Sequence, residues 1–142
     1  MRSLSSLAIG LGVVVALAGC AAGAAKAASR DVNVTATEFK LAADATTVIA
    51  GSATFTISNK GTIAHEFVIL QSDLAADALP KDGDGKVAEG GSLVKVDEVE
   101  DIDPGTAKTL TVDLKPGKYV FICNVAGHYI GGMRGGFEVV TQ

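Results

Sequence analysis

Short apolar runs that alternate with polar residues, and that end at turn residues, fill the chain from residue 31 onward. Residues 32–36 alternate in this way, and residues 53–58 alternate before the turn Asn59-Lys60-Gly61. Alternation is typical of a strand with one buried face, because successive side chains point to opposite faces of a sheet. Further runs of strand-forming residues lie at 46–49, 65–70, 108–114, 119–123 and 136–140. The pattern predicts an all-β sandwich or barrel over residues 31–142.

Residues 71–103 depart from this pattern. The segment from Ser72 to Leu79 predicts a short helix, with Ser72 as N-cap and Pro80 beyond its end. The following Asp-Gly-Asp-Gly lacks the later ligands of a calcium loop, so we interpret it as a solvated turn. We therefore expect a short helix and a loop insertion here. A solvated acidic run, for which a docking role stays open, follows with Glu98, Glu100, Asp101 and Asp103.

The first 30 residues predict export and lipid attachment. Residues 1–19 have a basic start and an apolar stretch of about a dozen residues, as secretory signal peptides do. Leu17-Ala18-Gly19-Cys20 resembles a bacterial lipobox, which implies acylation of Cys20 and a place on the outer face of the cell membrane or in the periplasm. Ordinary signal cleavage beside an incidental cysteine is the alternative. Residues 20–30 are an alanine-rich stretch that we interpret as a flexible tether.

Composition excludes several kinds of site. The formal charge of −4 and the scattered 12 Lys and Arg residues argue against a nucleic-acid partner, which requires clustered cations. Two His and two Cys in the whole chain exclude a three-histidine zinc site and a four-cysteine cluster. After Cys20 only Cys123 remains, so the exported domain has no second thiol for a structural disulfide.

The segment between the last two predicted strands carries the chemistry. Cys123, His128 and Met133 are spaced C-x₄-H-x₄-M, and His65, the only other histidine, begins a separate predicted strand. Two imidazoles and one thiolate with a weak axial thioether form the ligand set of blue copper sites. Zinc is a weaker candidate, because structural zinc sites are closed Cys/His tetrahedra.

With these residues in place, the chain resembles the cupredoxins, the family of small single-copper proteins. The resemblance covers residues 31–141, and its ligand loop is most similar to those of the rusticyanin and sulfocyanin branches. It implies a Greek-key β-sandwich, one-electron transfer, and one copper ion held by His65, Cys123, His128 and, axially, Met133. It is carried by Asn59-x-Gly61-x₃-His65-x-Phe67, by Pro116-Gly117-Lys118-Tyr119-x-Phe121-x-Cys123 and by the C-x₄-H-x₄-M loop.

Glu66 stands where many members of the family have Asn or Ser. Its carboxylate could bond the ligand loop, face solvent, or add negative charge near copper and so lower the reduction potential. The resemblance also implies an apolar docking patch around His128 for a redox donor and acceptor. The residues that match this patch are Val125, Ala126, Tyr129 and Ile130.

The resemblance predicts a monomeric electron carrier and not an enzyme, because multicopper enzymes need additional histidines. Two alternatives stay open at this point. One is a copper carrier or storage protein that uses the same ligands without redox turnover. The other is a metal-free β-sandwich adhesin.

Overall fold

The computed structural model describes residues 28–142, so the predicted signal peptide, Cys20 and most of the predicted tether lie outside the described residues. Within this part the chain forms nine strands and one helix of a single turn. In chain order they are β1 Asp31–Thr37, β2 Lys40–Ala43, β3 Thr47–Ile49, β4 Gly51–Asn59, β5 His65–Gln71, β6 Val94–Ile102, β7 Ala107–Leu114, β8 Gly117–Ile122, α1 His128–Gly131 and β9 Arg134–Val140.

The strands form two sheets that pack face to face. A four-stranded sheet has the order β2-β1-β4-β7, and a five-stranded sheet has the order β3-β9-β8-β5-β6. Both sheets are mixed, because β1 pairs with β4 and β3 pairs with β9 in parallel. The ring of Phe55 in the first sheet lies 5.7 Å from Phe67 and 5.6 Å from Phe137 in the second. The all-β sandwich predicted from the sequence is confirmed.

Alternation places one face of β1 and of β4 in the core. In β1 the side chains of Val32, Val34 and Ala36 are buried while their neighbours are exposed or partly exposed, and β4 repeats the pattern from Ala53 to Asn59. Two strands were not expected from the sequence: the short β2 and the acidic β6. The acidic run lies largely on β6, an edge strand, where charged side chains suit the exposed position.

The strands β5 and β8 of the five-stranded sheet are buried on both faces. Residues 72–93, hereafter the covering segment, lie across its outer face and form a second apolar cluster with β5, β8 and Tyr129. Burial on two sides explains why β5 carries four consecutive buried residues, 67–70, instead of alternating. The cluster comprises Val68, Leu70, Leu79, Val87, Leu93, Val120, Ile122 and Tyr129.

The helix predicted from Ser72 to Leu79 is absent, which corrects that expectation. Ser72 does act as a local cap, since its Oγ accepts a hydrogen bond from the Leu74 N–H at 3.1 Å. Of the following backbone groups, the Ala78 N–H donates to the Ala75 carbonyl and closes a turn, and two others bond to the side chain of Tyr129. Its hydroxyl accepts from the Leu79 N–H and donates to the Ala76 carbonyl. Tertiary contacts therefore replace the helical bonds of this segment.

The described part of the predicted tether contacts the sandwich. Ser29 forms an isolated bridge with Val48, and the Arg30 guanidinium donates to the Ala50 carbonyl at 3.1 Å.

Within residues 28–142, no helix has both the length and the apolar character that crossing a membrane requires.

Candidate metal centre

The four predicted ligands meet at one end of the sandwich. His65 is the first residue of β5, and Cys123 follows the last residue of β8. These strands are antiparallel neighbours, so both residues lie at the same end of the sheet. His128 begins α1, and Met133 directly precedes β9. All four side chains are buried, with His128 the most exposed at 6%.

Three ligand atoms form a compact triangle. The Nδ1 atoms of His65 and His128 lie 3.3 Å apart, and the Sγ of Cys123 lies 3.3 Å from His128 Nδ1 and 4.0 Å from His65 Nδ1. A point equidistant from the three atoms is about 2.1 Å from each, within the roughly 2.0–2.3 Å that N and S ligands keep from a first-row ion such as zinc. The three ligand atoms are therefore already spaced as they would be around a bound metal ion.

Backbone hydrogen bonds close the ligand loop on itself. The Cys123 N–H donates to the Met133 carbonyl at 3.0 Å, and the Met133 N–H donates to the His128 carbonyl at 3.1 Å. Between them Gly127 has a φ of 81°, a left-handed conformation that residues with a Cβ rarely adopt. These bonds fix the ligand residues to one another through the main chain.

Burial sets the protonation preferences of the ligands. It lowers the pKa of His65 and of His128, so both imidazoles favour the neutral form that binds metal. It raises the pKa of the Cys123 thiol, an effect opposed by hydrogen bonds from the backbone of Glu66 and Val125. A metal ion is the partner that removes a proton from such a thiol, because coordinating sulfur is a thiolate.

The donor set fits copper better than zinc. The ligand atoms of His65, Cys123 and His128 lie within 4.8 Å of one another. Met133 is fully buried, and its backbone forms hydrogen bonds with Cys123 and His128. Thiolate and thioether suit Cu(I), while imidazole suits Cu(II) as well. A zinc site would be expected to contain a fourth strong ligand, which the grouped residues do not supply.

Glu66 contacts the site through its backbone. Its N–H donates to the Sγ of Cys123 at 3.3 Å, while its side chain is partly exposed. Burial raises the pKa of this carboxyl group; Lys86 opposes the rise, and the acidic residues of β6, with Glu100 first, add to it. The contact with the copper ligand that the structure shows is thus made by the peptide group.

Two residues beside the site were not expected from the sequence. The ring edge of Phe39 packs against His128 with a centroid distance of 5.7 Å. The Glu38 carboxylate lies 3.9 Å from the Nε2 of His65 and accepts hydrogen bonds from the N–H groups of Thr62 and Ile63. Both residues stand between β1 and β2, far from the ligand loop in sequence, and no motif marks them.

The predicted docking patch is only partly exposed. Ile130 is 57% exposed, Ala126 is exposed and Val125 is partly buried. The prediction that Tyr129 belongs to this patch is wrong. Tyr129 is 1% exposed and lies under the covering segment, because its hydroxyl bonds Ala76 and Leu79 there. Phe39 takes its place beside His128 as an exposed apolar side chain.

A family model described as a cupredoxin-like domain matches residues 10–133. The structure is similar to reduced auracyanin from the photosynthetic bacterium Roseiflexus castenholzii, with 30% identity, coverage of 80% of this chain and 98% of that chain, and a TM-score of 0.59. No curated protein sequence matches the chain.

Two more distant structures share the fold. Auracyanin A from Chloroflexus aurantiacus, a "blue" copper protein, is 18% identical over 79% of this chain and 99% of that chain, with a TM-score of 0.54. Rusticyanin from Thiobacillus ferrooxidans is 17% identical over 78% of each chain, with a TM-score of 0.55.

Proposed function

The chain belongs to the cupredoxin-like family, and from that premise we propose that it is a mononuclear blue copper protein that carries single electrons between redox proteins. The observation that carries the proposal is the buried triangle of His65 Nδ1, His128 Nδ1 and Cys123 Sγ, with Met133 beside it. Copper in such a site supplies one-electron chemistry, because it cycles between Cu(I) and Cu(II).

The protein contributes a fixed and dry ligand cage. His65 and Cys123 are attached to neighbouring strands, and the loop from Cys123 to Met133 is closed by its own backbone bonds. Such a cage changes little between oxidation states, which keeps the rearrangement that accompanies electron transfer small. Its burial also excludes water from the ligand atoms.

An exposed apolar surface lies over the ligand loop. Phe39 and Ile130 are 50% and 57% exposed, and Phe39 contacts the His128 ring. Small apolar surfaces suit brief encounters between redox proteins, in which little area is buried. We propose this surface, with Val125 and Ala126, as the place where a donor or acceptor approaches His128.

We further propose that the protein is a monomer, exported and anchored at the outer face of a membrane through a lipid on Cys20. The support is the sequence alone, namely the signal-like residues 1–19 and the lipobox resemblance. Mass spectrometry of the protein recovered from a bacterial membrane fraction tests the anchor, and Cys20→Ala should release the protein into the soluble fraction.

The function is tested by adding Cu(II) to the full-length protein in detergent and recording an optical spectrum and a voltammogram. We expect an intense thiolate-to-copper band and reversible one-electron cycling, and we expect Cys123→Ser to abolish the band. Release of copper on reduction would indicate a copper carrier instead of an electron carrier. Absence of the band in the wild type would contradict both copper functions and favour the adhesin.

A further inference from the structure

The outer nitrogen of the His65 ring is a buried polar atom that lacks a hydrogen-bond partner within residues 28–142. The ring turns Nδ1 toward Cys123 and His128, which leaves Nε2 on the opposite side. When an imidazole binds a metal through Nδ1, its Nε2 carries the proton and becomes a hydrogen-bond donor. Buried donors are almost always paired in folded proteins, so this N–H requires an acceptor.

The Glu38 carboxylate is the acceptor that the structure offers. Its Oε1 lies 3.9 Å from His65 Nε2, and the Glu38 side chain is 29% exposed. Metal-bound histidines usually donate their second N–H to a carboxylate, a carbonyl or water, and this contact fixes the ring orientation and makes the ligand more basic. A hydrogen bond between these atoms requires a separation of about 3 Å, so the two atoms are about 1 Å too far apart for one.

Three hydrogen-bond donors fix the position of the Glu38 carboxylate, and Gly61 leaves room for it. Oε1 accepts from the Thr62 N–H at 2.5 Å, the Thr62 hydroxyl at 3.3 Å and the Ile63 N–H at 3.1 Å. All three are donors, which stabilise the negatively charged carboxylate form of Glu38. A Cβ on Gly61 would lie 2.5 Å from Oε1, so only glycine admits the carboxylate here.

We infer that Glu38 is a positioning residue for the copper ligand His65, and that its negative charge stabilises Cu(II) more than Cu(I). The inference rests on the copper site proposed above. The charge acts from the far side of the imidazole, where it strengthens the ligand and favours the oxidation state with the larger positive charge. Glu38 thereby lowers the reduction potential without touching the metal.

Three variants separate the parts of this contact. Glu38→Gln keeps an oxygen of similar shape but removes the charge, and Glu38→Ala removes both. Gly61→Ala keeps the Glu38 carboxylate but pushes it away from its hydrogen-bond donors. Asp113→Asn is the matched control, because it removes one negative charge from an exposed position on β7, in the sheet that does not carry the ligands.

The experiment measures the Cu(II), Cu(I) and Zn(II) affinities of each full-length variant by competition. It also records the His65 Nε2–H resonance in the zinc-loaded protein. We expect Glu38→Gln to weaken Cu(II) and Zn(II) binding about tenfold or more, with a smaller change for Cu(I). The resonance should shift in both Glu38 variants and in Gly61→Ala, and Asp113→Asn should match the wild type.

Unchanged affinity ratios and an unchanged Nε2–H resonance in Glu38→Gln and Gly61→Ala, in a wild type that binds copper, would overturn the inference alone. A wild type that binds no copper would instead overturn the proposed function, and the inference with it. Circular dichroism of each variant verifies that the sandwich is folded, and the isosteric Glu38→Gln decides the test if Glu38→Ala fails to fold.

Discussion

The backbone N–H of Glu66 donates a hydrogen bond to the Sγ of Cys123 at 3.3 Å. Glu66 follows the ligand His65 on β5, where the pairing with β6 shifts register between His65 and Phe67. The contact joins two ligand-bearing segments, β5 and the end of β8, through one peptide group.

Glu66→Pro removes this donor, and we expect it to lower the reduction potential. A hydrogen bond to a thiolate withdraws negative charge from the sulfur and so favours Cu(I); its loss favours Cu(II). The expected drop is several tens of mV, since ~60 mV corresponds to a tenfold change in the affinity ratio of a one-electron couple. Voltammetry measures the potential, and zinc binding verifies that the site still assembles.

Glu66→Ala is the matched control for that change, because it removes the carboxylate and keeps the N–H. If the two variants have the same potential, the hydrogen bond from Glu66 has no influence on the copper site.

Tyr129→Phe should destabilise the protein by about 1–3 kcal/mol. The hydroxyl accepts from the Leu79 N–H at 3.1 Å and donates to the Ala76 carbonyl at 2.8 Å, and its loss leaves a buried N–H without a partner. Urea denaturation of the metal-free protein measures the change. An unfolding free energy equal to that of the wild type would show that these bonds do not hold the covering segment in place.

The ligands could be predicted from the sequence because they are chemically rare. Cys123 and the two histidines are the only residues of their types from residue 31 onward, and a short loop spacing connects Cys123 with His128 and Met133. The alternating strands could be predicted because one buried face imposes a period of two. These two signals are local, and both the site and the sandwich depend on them.

The residues that the sequence does not reveal act through contacts between distant segments. Glu38 lies beside His65 only because the turn between β1 and β2 reaches the ligand end of the sandwich. The segment from Ser72 to Leu79 has helical local signals. Its Ala76 carbonyl and Leu79 N–H nevertheless bond to the hydroxyl of Tyr129, which is 50 residues after Leu79. β6 has only one buried residue, Ile102, so its sequence lacks the alternation that identifies β1.

Gly135→Ala should destabilise the sandwich by about 1–3 kcal/mol through overpacking. A Cβ at this position of β9 would overlap the ring of Phe121, which is 4% exposed and belongs to the core. Thermal and urea denaturation measure the loss. Gly136→Ala is the control from the same strand, because its Cβ would have its nearest neighbour, the Tyr119 carbonyl oxygen, at 3.7 Å. Equal losses in the two variants would contradict the steric explanation.

Tyr119 should make stability fall at alkaline pH. Burial raises the pKa of its phenol, so the folded protein keeps the proton at a pH where unfolded tyrosine, with a pKa of about 10, has lost it. The stability due to the neutral phenol is complete below pH ~10 and is lost as the pH rises through the folded value. The unfolding free energy of the wild type minus that of Tyr119→Phe should therefore decrease as the pH rises above about 10, whereas a constant difference would contradict this assignment.

Ile130→Lys should slow electron exchange while the copper spectrum stays unchanged. Ile130 is 57% exposed and lies two residues after the ligand His128, so a lysine there places a positive charge where two protein molecules would bring their sites together. Like charges that face each other oppose association, and we expect the self-exchange rate at low salt to fall about tenfold. Nuclear magnetic resonance of mixed Cu(I) and Cu(II) protein measures this rate. Val94→Lys is the control, because Val94 is also 57% exposed but begins β6, at the end of that strand away from His65. If both variants slow exchange equally, net charge and not the surface around His128 governs the encounter.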